Sequence, residues 1–94
     1  MPVECLNSDL RFSDWEALFG EGVLYEVRRL TEGRFSDGSP VPPCLRFTTN
    51  FETRCGRVAI LVPIEDVNAV SAEELVTRVH EAWDYQRRID QEAG

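Results

Sequence analysis

The spacing of apolar residues changes from helical to alternating and back along this chain, and each change marks an element. Ser13-Asp14-Trp15-Glu16 has the form of a capping box, with Phe12 before it placed to staple onto Ala17. Gly20 supplies the left-handed residue that stops a helix. The pattern predicts a short helix over about residues 14–19, turning Trp15, Leu18 and Phe19 inward. After Glu21-Gly22 the period drops to two. Val23, Tyr25 and Val27 alternate with Leu24, Glu26 and Arg28, which predicts a strand.

The stretch from Glu32 to Pro43 holds Asp37-Gly38 and three prolines, so it reads as a long surface loop. Beyond it, Leu45, Phe47, Thr49 and Phe51 alternate with Arg46, Thr48, Asn50 and Glu52. Val58, Ile60, Val62 and Ile64 then alternate with Arg57, Ala59, Leu61 and Pro63. Two tight turns can join these strands. With Thr53-Arg54 as the loop, Leu45 faces Val62, Phe47 faces Ile60 and Thr49 faces Val58; with Arg54-Cys55 the pairing shifts by two. Both keep the apolar face together. A slip of one residue would turn it to water, so that register is excluded.

A second capping box, Ser71-Ala72-Glu73-Glu74, opens the last helix. Ala72, Leu75, Val76, Val79, Ala82 and Trp83 fall within an arc of roughly 120° at helical spacing, a stripe suited to packing on a sheet. Glu74–Arg78 and Asp84–Arg88 are expected as supporting i,i+4 pairs. Gln86 and Asp90 land on the apolar arc, so core contact should fade past Trp83. The whole reads as one two-layer α+β domain over residues 1–94: a three-stranded antiparallel sheet between a short N-terminal and a long C-terminal helix.

The length agrees. A 94-residue chain buries roughly 60 to 65% of its unfolded surface, enough for one core but no large internal cavity. The longest apolar run, Val58-Ala59-Ile60-Leu61-Val62, is a strand and no bilayer crossing. The N-terminus, Met-Pro-Val-Glu-Cys, carries neither a basic stretch nor an apolar segment, so a cytoplasmic location is expected. Cys5, Cys44 and Cys55 are odd in number and widely spaced, which suits reduced thiols.

Charge changes the picture more. Every basic side chain is arginine, a group that pairs in forks with carboxylates and stacks on aromatic rings. The segments 1–27, 28–64 and 65–94 carry net charges of −5, +3 and −5 within a total of −7. An acidic whole with an arginine-bearing middle argues against a nonspecific nucleic-acid coat.

Chemistry is sparse. Cys5, Cys44, Cys55 and His80 have zinc-ligand identities, yet no two stand at C-x2-C spacing, and no metal or cofactor is expected. Cys44 and Cys55 lie most of a strand apart, too far for a disulfide. His80 sits at the boundary of the buried helical arc, and a thiolate beside it would be needed for nucleophilic catalysis. Glu65-Asp66 at the third strand's end has the residue types for a divalent-ion or acid/base site, and equally for a solvated loop. The order of elements is that of the double-stranded-RNA-binding domain. That domain needs basic side chains at the start of its second helix, where this chain has Ser71-Ala72-Glu73-Glu74, so it is not assigned to that family.

The expected function is therefore a non-catalytic acidic interaction protein. Its carboxylates Glu73, Glu74, Glu81 and Asp84 on the last helix, with Asp14 and Glu16 on the first, would bind a larger basic, nucleic-acid-binding protein and inhibit it. An immunity or antitoxin-like protein, or a phage-encoded antagonist of a host defence nuclease, would work this way. The alternative is a small homodimeric ligand-binding protein or enzyme with a pocket between sheet and helix, fed by Trp15, Phe19, Tyr25, Phe47 and Trp83. Direct nucleic-acid contact by Arg28, Arg46 and Arg57 ranks last on net charge.

Overall fold

Alternation and helical spacing resolve, in a computed structural model describing residues 6–54 and 56–93, into three antiparallel strands and a helical layer. After a 3-10 turn at Asn7–Asp9 come α1 (Phe12–Phe19), β1 (Leu24–Leu30), β2 (Cys44–Thr53), β3 (Gly56–Pro63), α2 (Ile64–Val67) and α3 (Ala72–Ala93). The strands lie in the order β1-β2-β3. The fold is the expected two-layer α+β arrangement.

Both long helices pack on the same face of the sheet, and Phe47 in the central strand is the hub. Its ring meets Trp15 edge-on at 5.2 Å and Phe19 at 5.9 Å, while the Trp83 indole N–H donates to the Phe47 carbonyl at 3.1 Å. Leu75, Val76, Val79 and Trp83 of the predicted stripe are buried, against Leu45, Phe47 and Val58 of the sheet. Ser71 caps α3 as expected, its Oγ accepting from the Glu74 N–H at 3.2 Å. The segment before α1 is latched to α2 by side-chain amides. Asn7 donates to the carbonyls of Val67 and Val70, and Asn68 both accepts from the Ser8 N–H and donates to the Ser8 hydroxyl.

Four local expectations are corrected. Helix α1 begins at Phe12, and its cap is the Asp14 carboxylate accepting the Arg11 N–H at 3.0 Å, so Ser13 lies inside the helix. Leu18 stays exposed, since only Trp15 and Phe19 of α1 enter the core. In β1, Leu24 pairs with Thr49 but Glu26 with Thr48, which leaves Tyr25 as a bulge and reverses the alternation before it. Leu24 therefore enters the core beside Val27, while Tyr25 turns out and stacks beneath the Arg57 guanidinium at 4.1 Å. Lastly, Glu65 and Asp66 occupy the first turn of the short helix α2 rather than a strand exit.

The hairpin contains both registers that the turn chemistry allowed. Leu45↔Val62 and Phe47↔Ile60 follow the first, whereas Glu52↔Arg57 and Thr53↔Gly56 follow the second. The two are joined by an irregularity in which Thr49, Asn50 and Phe51 of β2 oppose Val58 alone. Its side chains tie this end of β2 to the start of β1. The Thr49 hydroxyl donates to the Val23 carbonyl, and the Asn50 amide donates to the carbonyls of Gly22 and Leu24.

Among the described residues, no helix is long and apolar enough to cross a membrane. The calls on Cys5 and Cys55 lie outside the described residues; Cys44 is a buried free thiol.

Candidate functional site

Helices α1 and α3 make the outer layer, so the acids that they carry share one side of the molecule. Helix α3 has six carboxylates against Arg78, Arg87 and Arg88, a net charge of −3. Glu73, Glu74, Glu81 and Asp84 are all exposed on it. They are not equally available. Arg78 pairs with Glu74 at 3.0 Å and Arg87 pairs with Asp84 at 3.0 Å, where the expected partner of Asp84 was Arg88. The i,i+3 partner wins because Arg87 leans over the Phe51 ring, 4.7 Å from its centroid, and is held within reach. Glu73 and Glu81 carry no ion pair among the described residues. They stand two turns apart, with the Thr77 hydroxyl between them donating to the Glu73 backbone carbonyl. On α1, Asp14 is exposed but engaged in the cap, and Glu16 is half-buried.

Exposed ion pairs of this kind are worth about 0–1 kcal/mol and exchange readily with an incoming guanidinium. Glu74 and Asp84 thus remain open to competition by a partner, while Glu73 and Glu81 need no exchange at all. The acidic ridge is real but narrower than the residue types suggested.

The opposite face of the sheet is bare of helices. It carries Glu26, Arg28, Arg46, Thr48, Arg57, Ala59 and Leu61, as its alternation implied, with Leu24 and Asn50 removed from it by the two bulges. Arg46 pairs with Glu26 at 3.1 Å and Arg57 with Glu52 at 3.4 Å, so much of its positive charge is internally compensated.

A groove of about 270 Å³ opens where the irregular end of β2 pulls away from α3. Val23, Phe51, Val58 and Trp83 give it apolar walls, and Asn50, His80, Asp84 and Arg87 give it polar ones. His80 is wedged against Phe19 at 5.3 Å and Trp83 at 5.4 Å, which fixes its ring plane. Cys44 lies at the other end of β2, about 17 Å along the strand from Thr49, too far to form a thiolate–imidazole pair. No cluster of three potential metal ligands occurs among the described residues.

The groove escaped sequence reasoning because a bulge has no period. One signal did exist: a turn with two admissible loops one residue apart, which shift the pairing by two, preceded by Thr49-Asn50, whose side chains can satisfy a broken ladder. No protein-family model, curated protein or solved structure matches this chain.

Proposed function

We propose that this chain is a non-catalytic interaction protein that docks the acidic ridge of α3, flanked by α1, onto a larger basic protein and blocks its nucleic-acid site. The reading rests on one observation: both helices cover the same sheet face, so Glu73 and Glu81 stand unpaired on the outer layer, with competable Glu74 and Asp84 beside them. Carboxylates displayed this way steer association with a cationic surface. An immunity-like or antitoxin-like inhibitor, or a phage antagonist of a defence nuclease, has this design.

The test is affinity purification from a host lysate followed by a binding constant for the captured basic protein. Glu73→Arg/Glu81→Arg should weaken that binding at least about tenfold, equivalent to ~1.4 kcal/mol, with an unchanged circular dichroism spectrum. Equal affinity of the reversed-charge variant would defeat the mechanism.

A second reading, a small-ligand binder or enzyme, is favoured by the groove that brings His80, Asp84 and Arg87 beside Trp83. A metabolite that raises the melting temperature of the wild type, but not of His80→Ala, supports it.

A further inference from the structure

The two edges of the sheet are built differently. Edge strand β1 carries Glu26, Arg28 and Arg29 and is bent by the Tyr25 bulge, the usual protections against pairing with another chain. Edge strand β3 has none of these from Val58 to Val62, which is also the longest apolar run in the sequence. The extra residues of the hairpin irregularity belong to β2, leaving β3 regular. Leu61 is 55% exposed on the bare face. On the helical face, an open cleft of about 320 Å³ runs between β3 and α3, lined by Ile60, Val62, Leu75, Val79 and Ala82 and by the charged Asp66 and Arg78.

We propose that β3 pairs antiparallel with β3 of a second copy, about a two-fold axis at Ile60, to give a continuous six-stranded sheet. The sequence itself argues for a second copy over any other strand. Val58 and Val62 stand symmetrically about Ile60, so the axis sets Ile60 against Ile60, Val58 against Val62, and small Ala59 against large Leu61. No charged side chain lies between Val58 and Val62, so this pairing sets no like charges against each other along the shared segment. The same pairing closes the cleft, since each copy's Ile60 and α3 come to flank those of the other. This surface is separate from the acidic ridge, and the two proposals stand or fall independently.

Sedimentation equilibrium of the purified chain, from micromolar to millimolar concentration, tests it. The mass should rise toward twice 10.7 kDa. Ala59→Lys/Leu61→Lys, both at exposed positions, places lysine opposite lysine twice and should weaken the dimer at least tenfold with the spectrum of the fold retained. Glu73→Arg/Glu81→Arg should dimerise like the wild type. Amide exchange locates the interface: β3 should gain protection in the wild-type dimer and lose it in the lysine variant. A wild type that stays monomeric at millimolar concentration overturns the proposal, as does a dimer in which β3 exchange is the same in both proteins.

Discussion

Two tryptophans with similar burial separate the contributions of packing and hydrogen bonding. Trp83 donates its indole N–H to the Phe47 carbonyl, whereas the buried Trp15 N–H has no partner among the described residues. Substituting phenylalanine removes comparable ring surface from each but opposite hydrogen-bond terms, because Trp83→Phe loses a bond that is made and Trp15→Phe removes a stranded donor. Urea unfolding should show Trp83→Phe to cost about 1–3 kcal/mol more than Trp15→Phe. Burial of an aromatic ring was legible from the amphipathic stripe; whether its N–H finds a carbonyl depends on the helix's height over the sheet, which no period encodes. Asp37 offers a second residue-scale test. The Ser39 hydroxyl and then the Ser39 N–H donate to its carboxylate, holding its pKa below the ordinary 3.8. A depressed pKa stabilises the loop above 3.8 and loses that effect as pH falls through the lower, folded value. A carbon-detected NMR titration should place the Asp37 midpoint below 3.8, and Ser39→Ala should return it toward that value.

At the scale of the element, the hairpin shows how two acceptable turns become one structure. The turn closed by Thr53 and Gly56, with Gly56 at φ 104°, sets one register, the packing of Leu45 and Phe47 against α3 sets the other, and β2 absorbs the two-residue difference. Thr49 anchors that irregularity through its hydroxyl. Thr49→Val keeps the shape and removes this bond while the Asn50 N–H still holds the Val23 carbonyl, so chemical denaturation should show a loss of about 0.5–1.5 kcal/mol. Helix α3 makes the opposite point, since its last buried side chain among those described is Trp83 and yet the helix runs to Ala93. Core contact fades where Gln86 and Asp90 enter the apolar arc, as the pattern implied, and those two side chains instead bond to each other at 3.4 Å. Ending the chain after Ile89 should shift the melting temperature by no more than about 2–4 °C, because neither Asp90 nor Glu92, the two side chains described there, is buried.

For the whole molecule, the placement of charge on opposite sides of a two-layer body makes the binding face testable by contrast. Reversing Glu73 and Glu81 should abolish capture of a basic partner, while Arg28→Glu on the bare sheet face should leave it unchanged. Pull-down of all three proteins side by side checks this, and loss of capture by Arg28→Glu would move the interface to the sheet. The candidate ridge was legible only in part. Residue types and helical spacing identified Glu73, Glu74, Glu81 and Asp84, but not that Arg78 and Arg87 would answer two of them. Side-chain pairing on a helix turns on which rotamer a neighbouring element favours, here Phe51 beneath Arg87.

By itself the sequence determined the order of elements, the buried faces of α3 and of the β2–β3 hairpin, and the parity of that hairpin. These follow from periods of 3.6 and 2, which each segment carries within itself. Only the tertiary structure decided that both helices share one face, that Leu24 goes in and Tyr25 out, and that a groove opens beside His80. Those outcomes arise where separate segments compete for the same space around Phe47, and the competition is settled by volume and hydrogen-bond geometry that no single stretch of chain contains.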